Sequence, residues 1–244
     1  MASRLQTAPS FEWAETLCER FEGSSADELV VWAAGEFGDG FAVASSLGAE
    51  DIVLLDVIRQ TGVSARVFTL DTGRLPEETH TLLDAVRSEF GIVVEVVAPD
   101  AAELAELVQA QGTNGFRQSV DARRRCCDVR KVRPLGRALE SATAWATGMR
   151  RDQGASRGRI AKVEFDLLNG GKLKLNPLAD WSRAEIWERI RTRNLPYNAL
   201  HDAGYPSVGC APCTRAVAPG EDERAGRWWW ESGSARECGL HHRG

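Results

Sequence analysis

Between Phe41 and Gly112 the chain passes three times from a short apolar, β-branched run through a turn into an amphipathic helical stretch: "FAVASSLGAEDIVLLDVIRQTG", "ARVFTLDTGRLPEETHTLLDAVRSEFG" and "IVVEVVAPDAAELAELVQAQG". Pro76 opens the second helix, with Glu77 and Glu78 in its first turn, where a free N–H is not needed and negative charge is favoured. Strands that alternate with helices of this length predict an α/β fold built on a doubly wound, mostly parallel sheet with right-handed crossovers. Two helices, Phe11 to Phe21 and about Ala26 to Phe37, precede these units. A fourth strand, "TAWATG", follows the helix after Cys127, and "RIAKVEFDLLNGGKLKLNPL" reads as two strands around an Asn-Gly-Gly turn, a hairpin at the sheet edge. Ser182 and Glu185 have the spacing of a capping box at the start of a last helix, and periodicity is lost from Leu195 onward. The expected organisation is one domain over residues 1–230 and a mobile catalytic tail over 231–244.

A chain of 244 residues with 43% hydrophobic content can bury one large core. No apolar run approaches the roughly 18 residues of a membrane span, and "MASRLQTAPSFEW" lacks the apolar core of a signal peptide, so no membrane association and a cytoplasmic location are expected. The net charge of −5 argues against a general nucleic-acid binder. Basic residues nevertheless gather in "RRRCCDVRKVR", "GMRRDQGASRGR" and "TRAVAPGEDERAGR", which points to a small anionic ligand. The stretch Arg123 to Arg125 reads equally as a solvated face.

In doubly wound sheets, ligands bind beyond the carboxyl ends of the strands where the winding reverses. Ser45, Ser46 and Gly48 follow the first strand at a helix start, where backbone N–H groups and two hydroxyls can make an anion site; a Ser-capped turn is the plainer reading. Asp71, Thr72 and Gly73 follow the second strand and can hold a ribose or base, or serve as ordinary turn residues. "WWW" at Trp228 to Trp230 reads as hydrophobic packing in preference to an adenine-stacking platform.

Six cysteines without secretory features suggest metal or thiol chemistry. The adjacent pair Cys126 and Cys127 and the C-x-x-C pair Cys210 and Cys213 supply four thiolates, which suit a zinc ion, an iron–sulfur cluster or, for the vicinal pair, a redox disulfide. Neighbouring cysteines diverge and strain to reach one small ion, whereas a cubane offers separate iron corners, so [4Fe–4S] is preferred. Cys18 belongs to the apolar face of the first helix. Cys238, in the polar stretch "SARECGLHHRG" close to His241 and His242, has no core to join and reads as a ligand or a reactive thiol.

Taken together, "SSLGAEDIVLLD", "FTLDTGRL", "CCDVRKVRPL", "TGMRRDQGASR", "GYPSVGCAPCTR", "AGRWWWE" and "ECGLH" resemble the bacterial assimilatory adenylyl-sulfate (APS) reductases, the iron–sulfur branch of the APS/PAPS reductase family. The resemblance runs in order from about Phe41 to His242, with Met149 and Ala155 departing from the expected polar residues. It implies a sheet of the adenine-nucleotide α-hydrolase type and the reduction of APS to sulfite and AMP in sulfate assimilation. It also implies that Cys126, Cys127, Cys210 and Cys213 ligate a [4Fe–4S] cluster with Lys131 close by, and that Cys238 is the nucleophile. Arg157, Arg224 and Arg227 would hold the phosphosulfate beside the Ser45 to Gly48 loop, with Asp71, Thr72, Gly73 and His241 also at the substrate. A thioredoxin or glutaredoxin-like protein would be the reductant, and a homo-oligomer is compatible with the sequence.

Elementary chemistry agrees with that assignment. The sulfur of APS is electrophilic but ringed by negative oxygens, so cations must precede thiolate attack, and arginine forks pair with phosphate and sulfate oxygens. Two other classes remain open. An ATP-pyrophosphatase-type enzyme would carry S-G-G-x-D-S, whose second Gly and final Ser "SSLGAED" lacks, and a cluster-based redox sensor would need an output surface. Within the family, PAPS is the competing substrate.

Overall fold

A computed structural model describes residues 9–154, 157–231 and Leu240; Cys238, His241 and the Ser232 to Ala235 stretch lie outside the described residues. The N-terminal helices are α1 (Phe11–Phe21), capped by Ser10, and α2 (Ala26–Phe37), where Ser25 and Glu28 form a reciprocal capping box. Their apolar faces, including Leu17, Phe21, Leu29 and Val30, pack into the main core.

The sheet contains β1 (Phe41–Ala44), β2 (Arg66–Leu70), β3 (Glu95–Val97), β4 (Ala144–Ala146), β5 (Val163–Asp166) and β6 (Lys172–Leu175) in the order β3-β2-β1-β4-β6-β5. Every pairing is parallel except β5 with β6. The expected doubly wound sheet and edge hairpin are therefore present. Gly170 and Gly171 take left-handed backbone at the hairpin turn (φ 85° and 72°), a conformation that costs glycine little. The third strand is shorter than its apolar run suggests, because Ile92 and Val94 turn into the core and leave only Glu95–Val97 to pair at the opposite edge.

Helix α3 (Ala49–Thr61) follows β1 and is buried along nearly its whole length, from Ile52 to Ile58. Asp56 lies fully buried within it, and Arg59 and two residues from the α8 (Arg183–Thr192) end of the chain, Arg189 and Arg193, close on its carboxylate at 3.2, 2.9 and 2.8 Å. A lone buried carboxylate would be costly, so this cluster fixes how α8 docks on α3. The remaining helices are α4 (Glu77–Ala85), α5 (Ala101–Gln111), α6 (Val120–Cys127) and α7 (Arg133–Leu139).

The vicinal cysteines supply the main departure from the sequence reading. They sit inside a helical segment that begins at Val120, and α6 passes at Asp128–Val132 through a π-helical turn into α7. Wide turns of this kind are frequent at functional sites, and this one redirects the helix immediately after Cys127.

The winding reverses between β1 and β4, and the seam there is held by Asp51. Its carboxylate accepts from the Ser46 backbone N–H at 2.6 Å, the Ser46 hydroxyl at 2.7 Å and the Gly148 N–H at 3.1 Å. Gly148 has no alternative, since a Cβ there would lie 2.4 Å from the Asp51 carboxylate oxygen and 2.9 Å from the Asp51 backbone nitrogen. Burial pushes the Asp51 carboxyl up to about 6, against the hydrogen bonds from Ser46 and Gly148 that favour the anion. Because the folded value lies above the unfolded one, the native state keeps the proton longer. The associated stability is complete below about pH 4 and is lost as the pH rises through about 6. Asp51→Asn should flatten that part of the pH–stability curve, a difference on the order of 2–3 kcal/mol between its two ends. Melting temperatures of both proteins from pH 4 to 8 check this; parallel curves would show that Asp51 does not titrate there.

Candidate active site

A cavity of about 210 Å³ opens at the carboxyl ends of β1, β2 and β4. Ala44 to Ser46, Leu70 and Thr72, and Thr147 to Met149 build its floor, and the irregular C-terminal third closes it with Ser207, Arg224, Arg227 and Trp228. Polar lining thus comes from loops while the sheet supplies a rigid base, the usual arrangement at a reversal of winding.

The residues singled out in the sequence distribute unevenly around this space. Ser45, Ser46, Gly48, Thr72, Lys131, Arg157, Arg224 and Arg227 all line the cavity, whereas Asp71 and Gly73 stand outside its lining. Asp71 instead closes its own turn by accepting from the Gly73 N–H at 2.8 Å, and it faces His80 at 3.5 Å. Gly48 caps α3, but the Ser46 N–H and hydroxyl are both directed at Asp51, so an anion in this loop competes with a carboxylate for them. The Ser45 hydroxyl accepts from the Leu47 N–H, which helps hold Leu47 in left-handed backbone at φ 59°.

Behind this cavity lies a second, much smaller one of about 20 Å³, lined by all four of Cys126, Cys127, Cys210 and Cys213 together with Arg74, Phe116, Arg130, Lys131, Arg227 and Trp228. The four cysteines come from two distant segments. Cys126 and Cys127 close α6, and Cys210 and Cys213 bracket the short turn Ala211–Cys213, whose Pro212 stiffens the C-x-x-C loop. Among the described residues, no three His, Cys, Asp or Glu side chains are arranged closely enough to hold a metal ion. The donor set itself is soft and anionic, and the walls around it are basic and aromatic, which suits a thiolate-bound centre.

Electrostatics distinguishes the four thiols. Burial and the negative neighbour Cys210 push Cys213 up to about 12. Burial also raises Cys126, against the attraction of Arg130. At Cys210, burial is outweighed by Lys131, a hydrogen bond from Thr72, Arg227 and Arg130, which together hold the thiol below its ordinary value. The Thr72 hydroxyl lies 3.3 Å from the Cys210 sulfur, so the second βα turn serves the thiol pocket as well as the larger cavity.

Lys131, Arg227 and Trp228 line both cavities and form the wall between them. Arg227 donates to the Ser207 hydroxyl and the Val208 carbonyl, each at 3.2 Å, and stacks over Trp228 at 4.9 Å. Gly209 is packed against it; a Cβ there would lie 2.2 Å from a guanidinium nitrogen. Trp228 is buried, consistent with packing, while Trp229 is partly exposed. Cys18 packs at the margin of the main core.

Three contributors were not identified from sequence. Arg130 is buried and donates to the Thr72 carbonyl at 2.5 Å, its chemistry hidden among five other basic residues of the same stretch. Arg123 is buried rather than solvated, gripping Glu231 at 2.8 and 2.9 Å and stacking over Trp228 at 4.8 Å, while Arg124 and Arg125 are exposed. Asp51 is the third; its position in the first turn of α3 resembles a helix-dipole acid and nothing more.

Comparison with known proteins bears on this arrangement. The phosphoadenosine phosphosulfate reductase domain family matches residues 40–216. The chain is 52% identical over 205 residues to adenosine 5'-phosphosulfate reductase of Allochromatium vinosum, covering 84% of this chain and 80% of that one. It is 46% identical over 235 residues to 5'-adenylylsulfate reductase 3, chloroplastic, of Arabidopsis thaliana, covering 93% of this chain and 51% of the plant protein. Among solved structures, phosphoadenylyl-sulfate (PAPS) reductase from Candida auris, a phosphate complex, superposes with a TM-score of 0.73 at 25% identity, covering 86% of this chain and 99% of that one. FMN adenylyltransferase of Candida glabrata, at a TM-score of 0.53 and 13% identity over 85% of this chain and 66% of that one, shares the fold alone. A crevice at the winding reversal, arginines and a lysine on its walls and four thiols behind them thus sit on a sheet shared with a solved reductase, and the chain belongs to the phosphoadenosine phosphosulfate reductase family.

Proposed function

We propose that this protein reduces adenylyl sulfate to sulfite and AMP; its bacterial relatives carry the name adenosine 5'-phosphosulfate reductase. The observation that carries the reading is the shared wall: the cavity at the winding reversal meets the four-thiol pocket at Lys131, Arg227 and Trp228. Arg157, Arg224, Arg227 and Lys131 supply the positive charge that a phosphosulfate requires before a thiolate can approach its sulfur.

In this reading Cys238 is the nucleophile. Leu240 lines the cavity, and two peptide units separate it from Cys238, a span of at most about 7 Å, so the chain can bring that thiol to bound substrate. The Cys238 thiolate attacks the sulfur, the S–O bond to the phosphate breaks, and AMP leaves with its charge balanced by the same cations. The product on the enzyme is an S-sulfocysteine. With four thiols in the cluster pocket and Cys18 against the core, the reductant comes from another protein: one thiolate of a thioredoxin or glutaredoxin-like dithiol attacks Cys238, sulfite departs, and the second thiol resolves the mixed disulfide.

Cys126, Cys127, Cys210 and Cys213 would hold a [4Fe–4S] cluster, which when bound ties α6 to the C-x-x-C loop and sets its charge behind the substrate. Their convergence on one pocket and its basic walls support this assignment. Among the described residues, no helix is long and apolar enough to cross a membrane.

Turnover decides between substrates: with a thioredoxin system, sulfite and AMP should form from APS with a higher kcat/KM than from PAPS, and the reverse ranking would overturn the assignment. Without reductant, APS should release about one AMP per active site and add a sulfonate mass to the Cys238 peptide. Cys238→Ser should lose both and still bind APS; sulfite production by that variant would remove Cys238 from the chemistry.

Anaerobically purified protein should contain about four iron atoms and matching acid-labile sulfide per chain. Cys213→Ser should lower both contents and the melting temperature. Stoichiometric zinc without sulfide would refute the cluster. Gly209→Ala, which displaces Arg227, should reduce kcat/KM by about tenfold to a hundredfold, the value of a lost charged hydrogen bond, with iron content unchanged. Wild-type kinetics in that variant would show that Arg227 does not act on substrate.

A further inference from the structure

Arg183 breaks a local rule. It is the first residue of α8, after the Ser182 cap and before Glu185, where negative charge is favoured and a cation opposes the helix dipole. Local conflicts of this kind mark positions set by a tertiary or functional demand. The demand here is Glu223, whose Oε1 lies 2.9 Å from Arg183 Nη1. Arg183 stands outside the lining of the substrate cavity, whereas Glu223 and its neighbour Arg224 both line it.

This contact ends a chain of alternating charge. Glu50, in the first turn of α3 and on the cavity wall, accepts from Arg150 Nε at 3.0 Å and Nη2 at 2.8 Å. The buried Arg150 donates from Nη1 to Asp152 at 3.3 Å, and the same Asp152 oxygen accepts from the Arg183 backbone N–H at 3.2 Å. Glu223 feels Arg150 and Glu50 as well as Arg183. Four segments far apart in sequence are thereby tied together: the start of α3, the segment after β4, the start of α8 and the loop that carries Arg224.

Within that loop Glu221 closes on Arg215 at 3.1 and 3.2 Å, Asp222 accepts from the Arg224 backbone N–H at 2.8 Å, and the Arg224 carbonyl accepts from the Arg227 N–H at 2.9 Å. The backbone at Arg224 is therefore fixed to its loop, and Glu223, one peptide before it, fixes the loop to α8. An acid on the wall of a cavity that takes an anion works against affinity, so its presence there calls for another role; the ion pair supplies one, as the handle by which α8 holds the loop.

We propose that Arg183 is a positioning residue for adenylyl sulfate: through Glu223 it holds Arg224 where that guanidinium meets the phosphosulfate. This rests on the reading of the cavity given above and deepens it. Removing a cation from the first turn of α8 favours the helix dipole, so a loss of activity on neutralising Arg183 is not a loss of that helix.

Steady-state kinetics of the holoenzyme with APS and a thioredoxin system test the assignment. The pair is partly exposed, so the effect is smaller than for a buried one. Arg183→Gln should lower kcat/KM by about threefold to fivefold. Arg183→Lys should retain most of the wild-type value, and Arg183→Glu, which repels Glu223, should lose more than Arg183→Gln, with iron content at the wild-type level throughout. The signature of positioning is coupling: in an Arg224→Ala background, Arg183→Gln should have no further effect. Wild-type kcat/KM in both Arg183→Gln and Arg183→Glu overturns the inference and leaves the reading of the cavity intact. So does an equal loss from Arg183→Gln with and without the Arg224 guanidinium, which would show that the pair does not act through that side chain. A wild-type holoenzyme that forms no sulfite and AMP from APS would bring down the reading of the cavity, and this inference with it.

Discussion

Four thiols and an anionic substrate cannot share a wall unless cations stand in it. Lys131 and Arg227 meet that constraint, with Arg130 on the thiol side alone, and much of the local structure exists to place them. The π-helical turn after Cys127 carries both Arg130 and Lys131. Gly209 is small enough to let Arg227 lie against the C-x-x-C loop, and Trp228 gives its guanidinium a flat surface. Thr72, in the turn after β2, accepts from Arg130 at its carbonyl and sets its hydroxyl beside Cys210, so the sheet and the thiol pocket are braced through one residue.

The scaffold beneath is held by a small number of buried polar ties rather than by apolar packing alone. Asp56 collects arginines from α3 and the α8 end of the chain, and Asp51 stitches the β1 loop to Gly148. Arg123 fixes Glu231 against α6 one turn before the vicinal cysteines. Each couples segments that are far apart in sequence, and each would leave an uncompensated buried charge if halved. The same economy appears in the substrate cavity, where the loops contribute charge and the strand ends contribute only position.

Much of the architecture is legible in the sequence because it rests on local rules. The capping boxes at Ser25 and Ser182, the Asn-Gly-Gly hairpin turn and the alternation of strand and helix all depend on residues a few positions apart. The approach of Cys126 and Cys127 to Cys210 and Cys213 was an expectation of chemistry, and the two pairs do line one pocket. What is not legible depends on contacts between distant segments. Nothing local distinguishes buried Arg123 and Arg130 from exposed Arg124 and Arg125, and nothing local commits the Ser46 donors to Asp51 or leaves the Asp71 carboxylate outside the cavity.

The central claim is that substrate and cluster are neighbours across a wall of Lys131, Arg227 and Trp228. The most direct measurement is the Mössbauer spectrum of iron-57-enriched Cys238→Ser protein, in which the proposed chemistry predicts that APS binds without turning over, recorded with and without saturating APS. The account predicts a change in isomer shift or quadrupole splitting on binding, because the phosphosulfate draws on the same cations that face the thiolates. Identical spectra at demonstrated saturation would contradict it.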